Sequence, residues 1–348
     1  MSHQTLRRAG RIELRHGAGG RATAQLIEEL FRHHLGNAIL NAGDDGAILE
    51  APGGGATQTR WVLATDAFVV SPLFFPGGSI GDLAVNGTVN DLAMMGAVPR
   101  YLTAAFILEE GLALEVLDQI VEDMALAAQK AGVQVVAGDT KVVERGKGDG
   151  LFISTTGLGM LPPGAMPSGR GARPGDRILI SGTLGDHALA LLRARNPETF
   201  RADFFSDTAP LHALVAELQK TAGDHLHVLR DPTRGGLGNT LNEIAQQSGV
   251  GLIINESSLP IRPAVAAATE LLGLDPLYLA NEGKLILMTD SAHAEDCLGT
   301  LKSHALGREA RLIGEVVASA RPCVILRTQL GGERLIDWLA GDPLPRIC

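Results

Sequence analysis

Short acidic strings and a final thiol carry the reactive groups of this sequence. The thiol is Cys348, which closes the run Leu344-Pro345-Arg346-Ile347-Cys348. A thiolate is a strong nucleophile, and a chain end moves unless it docks. Cys348 therefore reads either as a mobile covalent carrier or as an incidental residue in a frayed end. The carboxylates sit at turns and strand ends: Asp45 in Gly43-Asp44-Asp45-Gly46, Asp66 after Trp61-Val62-Leu63-Ala64-Thr65, Asp139 after Val135-Val136-Ala137-Gly138, and Asp231 at the head of Asp231-Pro232-Thr233-Arg234-Gly235-Gly236. Each alone is more often a cap or turn former. Converging from separate strands, they suit Mg2+, a hard cation that takes carboxylate and phosphate oxygens.

A glycine-rich string, Phe75-Pro76-Gly77-Gly78-Ser79, runs into a helix that ends near Asn90-Asp91. Glycines let backbone N–H groups approach an anion, and a helix N-terminus adds positive charge. Ile80, Ala84, Gly87 and Asp91 share one helical face, which suggests room for a metal or phosphate beside Asp91. The string matches neither the P-loop nor the dinucleotide fingerprint. A second run, His16-Gly17-Ala18-Gly19-Gly20-Arg21, reads as a flap over phosphates or as a loose arm. Lys141 and Glu282, in Asp139-Thr140-Lys141 and Asn281-Glu282-Gly283-Lys284, are surface charges unless their loops face one cleft.

These groups need a scaffold of strand ends. Before residue 160 the patterns give strands at Trp61–Thr65, Tyr101–Ile107, Val133–Ala137 and Leu151–Thr156, with helices at Thr23–His33, Ile80–Met95 and Leu114–Ala131. After it they give strands near Arg177–Ser181, Val250–Ile254, Lys284–Met288, Arg311–Glu315 and Cys323–Leu326. Helices fall near Gly185–Arg193, Leu211–Thr221, Leu237–Gln247, Pro263–Leu272 and Ala292–His304. The Pro- and Gly-rich stretch 161–176 cannot be a helix or an inner strand. The expected organisation is α/β (α+β): two mixed domains, 1–160 and 177–332, joined by the linker 161–176, and a mobile tail, 333–348. Trp61–Thr65 and Tyr101–Ile107 are too apolar for free sheet edges, which suggests association with a second copy.

A formal charge of -9 over 348 residues argues against nucleic acid or an anionic membrane as partner. Three cysteines with no Cys-x-x-Cys give neither a disulfide framework nor a four-ligand zinc site. Cys297 and Cys323 lie on apolar patterns and read as core. No leader or membrane span is legible, so the expected location is the cytoplasm.

Together the strings resemble the HypE family of hydrogenase maturation proteins. That family belongs to the superfamily of aminoimidazole ribonucleotide synthetase, selenophosphate synthetase and thiamine-monophosphate kinase. The superfamily-wide elements are Gly43–Ala47, Thr65–Phe68, Asn90-Asp91 and Asp231–Gly236. The run Phe75–Gly96, Gly138–Lys141, Asn281–Lys284 and the end Pro345–Cys348 resemble HypE specifically. The resemblance implies a homodimer paired through its N-terminal sheets, with ATP bound between the domains near the dimer interface. It implies Asp45, Asp66, Asp91 and Asp231 as Mg2+ ligands, and Gly77, Gly78, Asn90, Asp139 and Thr140 as the nucleotide lining. In the implied reaction a carbamoyltransferase, HypF, loads the thiol of Cys348. The protein then dehydrates the thiocarboxamide to a thiocyanate at the expense of ATP, and the cyano group passes to iron on a HypC–HypD complex. Glu282 is implied as the base and Lys141 as its electrostatic partner. Ten residue steps from Trp338 to Cys348 reach at most about 33–36 Å, enough to carry a substrate between sites. A synthetase of the superfamily acting on a diffusible substrate is the alternative, as is a non-enzymatic metal-delivery scaffold.

Overall fold

The computed structural model describes residues 11–50, 60–164, 166–199, 202–341 and 344–348; Ala165, within the expected linker, lies outside them. Among the described residues the first half forms a sheet in the order Ala47–Glu50, Arg60–Phe68, Leu151–Leu161, Val98–Glu109, Gln134–Val143. Only the last pair is parallel, and the helix Leu114–Ala131 makes its crossover. Trp61–Thr65 and Tyr101–Ile107 therefore belong to inner strands, contrary to their reading as edges. They read as too apolar because one whole sheet face, with Leu63, Tyr101 and Ile107, is uncovered in the single chain. The edge strand Gln134–Val143 is exposed along nearly its full length.

The other face is packed by helices. Ile80–Met94 is buried almost all round, the signature of a central helix. Ser79 starts it: the Ser79 hydroxyl accepts from the Gly81 N–H, and Asp82 accepts from the Ser79 N–H at 2.8 Å. Gly81 lets the Ile120 carbonyl of the neighbouring helix approach to where a Cβ would lie 2.3 Å away. Gly87 makes room for the Phe68 ring, 2.9 Å from a Cβ position. The space expected beside Asp91 for a metal or phosphate is thus partly filled by an aromatic ring from the sheet.

The second half forms a sheet in the order Glu333–Ile336, Cys323–Arg327, Gly251–Asn255, Arg311–Val317, Arg177–Ile180, Ile286–Thr289, Leu226–Arg230. It is covered on both faces, so its strands read as continuous apolar runs. Ile178 and Ile180 point toward the helix Gly236–Ser248, while Leu179 points toward His212–Ala222 and Ala294–Ser303. Cys297 lies fully buried in that second layer, where burial pushes its thiol up to about 11. The expected mobile tail begins as structure: Glu333–Ile336 pairs antiparallel with Cys323–Arg327. Beyond it the Asp337 carbonyl accepts from the Tyr278 hydroxyl, and the Leu339 N–H donates to Asn239. One apolar cluster joins both halves, from Phe68, Ile80 and Leu83 to Leu189, Val265, Leu344 and Ile347.

Candidate functional site between the halves

Asp45 leaves a turn opened by Gly43 at φ 72°. Asp91 lies in the last turn of the central helix, and Asp231 follows the strand Leu226–Arg230. Carboxylate oxygens of these three all lie within 4.8 Å of one another. Asp66 stands beside them rather than among them, and its carboxylate accepts its neighbour Ala67 N–H at 2.7 Å. Burial, then repulsion by Asp231, Asp66 and Asp45, raises the Asp91 carboxyl well above 3.8. Burial and Asp45 raise Asp231 to about 7. Arg230 relieves part of this, with Nε 3.1 Å from Asp45 and Nη2 2.6 Å from Glu243. Its Nε is not aligned as a hydrogen bond. A buried all-oxygen set with excess negative charge fits a small hard dication.

Carboxyls with raised pKa stabilise the metal-free fold below their unfolded value of 3.8 and lose that contribution as pH rises through their folded values. Metal-free protein should therefore lose stability between about pH 4 and 7. Asp91→Asn should raise the metal-free Tm at pH 7.5 by a few degrees, remove the upward Tm shift produced by Mg2+, and abolish ATP turnover. A Mg2+-induced Tm shift equal to that of the parent protein would contradict the assignment.

Glu282 is 3% exposed, and its Oε1 has no hydrogen-bond partner among the described residues. The string around it is fixed residue by residue. Asn281 donates to the Pro232 and Leu279 carbonyls and accepts the Gly185 N–H at 2.7 Å. Gly283 passes so close to the Asp207 carbonyl that a Cβ would lie 1.8 Å from it. Lys284 Nζ is 3.0 Å from the Asp207 carboxylate, which also accepts the N–H groups of Glu282 and Gly283. Burial alone would raise Asp207; Lys284 and the Glu282 N–H are among the groups that hold it low. Burial raises Glu282 well above 4.5, and Asp207, Asp231 and Asp66 add to it.

The tail lies in the cleft. The Val69 N–H donates to the Cys348 carbonyl at 3.1 Å and the Ser71 N–H to the Arg346 carbonyl at 3.2 Å. Leu344 and Ile347 are buried. Arg346 holds φ 60°, a left-handed conformation that costs a non-glycine residue about 1–2 kcal/mol, and is ion-paired to Asp149. A cavity of about 170 Å³ beside the tail is lined by Ala18, Arg234, Gly235, Tyr278, Ile347 and Cys348. Arg234 is raised first by the charge of Cys348 and also by Asp66, Glu282 and Asp91. It links the end of the tail to the carboxylates. Composition gave no role to Arg234, Asp207, His187 or Arg195; only Arg234 carried a signal, as part of Asp231–Gly236.

Other expected site residues lie elsewhere. Gly77 and Gly78 pack on Ser206 and Thr208 just before the central helix, whose first residue, Ile80, lies about 16 Å along the axis from Asp91. Asn90 spends its side chain on protein: it donates to the Ala209 and Glu282 carbonyls and accepts the Leu211 N–H at 2.8 Å. Asp139 and Lys141 form an exposed ion pair at 2.7 Å on the edge strand that also carries Thr140. Asp66 registers with Thr155, Thr155 with Ala104 and Ala104 with Gly138. Three strand spacings, about 14 Å, therefore separate this segment from the carboxylates of the same chain. The glycine run at 16–21 is packed: the Gly19 carbonyl accepts from Asn239, and the Leu339 carbonyl would lie 2.3 Å from a Gly20 Cβ.

The chain matches the AIR synthase related protein N-terminal domain over residues 43–161 and the AIR synthase related protein C-terminal domain over residues 173–327. It is 56% identical to the carbamoyl dehydratase HypE of Cupriavidus necator, over 98% of this chain and 96% of that protein. It superposes on the hydrogenase maturation protein HypE in complex with ATP with a TM-score of 0.80 at 48% identity, covering 97% of this chain and 100% of the other. It also superposes on a HypE–HypF complex with a TM-score of 0.84 at 48% identity, covering 90% and 99%. On a likeness this complete in sequence and in both domains, the chain belongs to the carbamoyl dehydratase HypE family of hydrogenase maturation proteins.

Proposed function

We propose that this chain uses ATP to dehydrate a carbamoyl group carried on Cys348, turning a thiocarboxamide into a thiocyanate that supplies cyanide to the iron of [NiFe] hydrogenase. The observation that carries the reading is the docked Cys348 beside Arg234, which is also in electrostatic reach of Glu282, whose Oε1 has no hydrogen-bond partner among the described residues. An amide oxygen leaves poorly. Phosphoryl transfer from ATP turns it into a phosphate ester, and loss of the N–H protons then expels phosphate and forms the C≡N bond. Glu282 takes those protons, because burial among like charges makes its carboxylate a stronger base than a solvated one. Arg234 offers positive charge where the transferred phosphoryl oxygens build up negative charge. Mg2+, held by Asp45, Asp91 and Asp231 with Asp66 adjacent, would neutralise phosphate charge. ATP binding is supported by the ATP complex of the related HypE. Phosphate release tests the reading: one equivalent per carbamoylated chain is expected, and equal release from unmodified chain would contradict it.

The part of the tail that leaves the cleft is assigned to Leu344–Cys348, since Glu333–Ile336 is a strand. HypF is the proposed carbamoyl donor, supported by the related HypE–HypF complex; a HypC–HypD complex is the proposed acceptor. A second copy is the proposed cover for the open face around Leu63, Tyr101 and Ile107. Asp139, Thr140 and Lys141 then act in a site completed across the dimer, with Lys141 as the electrostatic partner of Glu282. Gly77, Gly78 and Asn90 are assigned to shaping the cleft wall rather than to touching nucleotide. Sedimentation at micromolar concentration should give a dimer, and Tyr101→Glu with Leu63→Glu a monomer; a monomeric parent protein would contradict the pairing. A cytoplasmic location is proposed; no helix among the described residues is long and apolar enough to cross a membrane.

A further inference from the structure

His187 and Arg195 lie in the first and last turns of the helix Asp186–Arg195. His187 is fully buried. Its Nε2 lies 2.7 Å from the Ile347 carbonyl, and its Nδ1 2.8 Å from the Ser206 hydroxyl. A carbonyl only accepts, so Nε2 carries the proton and Nδ1 accepts from Ser206. Arg195 donates from Nε to the Ser71 carbonyl at 2.8 Å, and from Nη2 to the Pro345 and Arg346 carbonyls at 2.9 and 2.6 Å. The carbonyls of three successive tail residues are thus held by one helix, without reading their side chains.

We propose that His187 and Arg195 are positioning residues that clamp the tail by its main chain and set the fraction of chains with Cys348 docked in the cleft. The inference rests on the tail-carrier reading above. The clamp shares a strap with the reaction site. Ser206, which holds the His187 ring, precedes Asp207, whose carboxylate accepts the Glu282 and Gly283 N–H groups. The Ser206 N–H donates in turn to the Pro76 carbonyl at 2.8 Å, and Gly77 at φ 94° lets the strap approach. One segment therefore places both the docked tail and Glu282.

The test is alkylation of Cys348 by iodoacetamide in the full chain, without nucleotide or partner, read on the C-terminal peptide by mass spectrometry. His187→Ala should speed modification about five-fold, the effect of one buried hydrogen bond. Arg195→Ala should speed it about ten-fold, since its bonds are charge-assisted. His187→Gln, which restores an N–H donor, should return the rate toward that of the parent protein. Buried Cys297 is the control for folding, and Arg195→Lys, on a half-buried side chain, should give an intermediate rate if either alanine variant exposes it. Unchanged Cys348 rates in the Arg195 variants of folded protein would overturn the clamp. The assay involves no ATP, so failure of the clamp and failure of the dehydration chemistry give separate results.

Discussion

Glu282→Gln is expected to slow dehydration of a carbamoylated tail by about 10²–10⁴-fold, the usual contribution of a general base, while nucleotide affinity stays near that of the parent protein. Gln matches the shape of Glu, and the backbone groups that fix residue 282 are bonded to Asp207 and Asn90, not to its own carboxyl. The fold should therefore survive. The pH profile gives a second reading. Glu282 must be ionised to accept a proton, and its pKa lies well above 4.5 because it is buried near Asp207, Asp231 and Asp66. Single-turnover dehydration should fall as pH drops through that raised value, and the residual rate of the Gln variant should lack this step. Equal loss of nucleotide binding and dehydration would instead place Glu282 in the nucleotide site.

Cys348→Ala should eliminate carbamoylation and cyano-group formation completely, with folding, dimerisation and ATP binding retained. The tail is held through the carbonyls of Pro345, Arg346 and Ile347 and the buried Leu344 and Ile347 side chains; the Cys348 side chain is only partly buried. Its removal costs little packing. Cys297→Ala should act in the opposite sense. That residue is fully buried against Leu301 and Leu287, so its loss should lower stability by about 1 kcal/mol through a small cavity and spare the chemistry. A cyano ligand delivered by the Cys348→Ala protein would favour a diffusible substrate.

Sequence reading picked out three carboxylates that the fold brings together, but less of what surrounds them. Asp45, Asp91 and Asp231 were legible because each sits in a short string of turn formers beside an apolar strand or helix. Periodicity found the central helix but not what Gly81 and Gly87 pack against. Both serve close packing, on Ile120 and Phe68, and single-helix patterns carry no information about what lies opposite. Ala47–Glu50, Leu226–Arg230 and Glu333–Ile336 escaped notice because runs of four or five residues with mixed polarity resemble loops until partners pair them. The tail clamp was illegible for another reason. His187 and Arg195 read the carbonyls of residues about 150 positions away, and carbonyls leave no trace in residue type.

The most direct test of the account is the mass of the carbamoylated C-terminal peptide before and after full-length protein meets Mg-ATP. The account predicts loss of one water from the peptide containing Cys348, dependent on ATP and on Glu282. Retention of the intact carbamoyl group after ATP has been hydrolysed would contradict it.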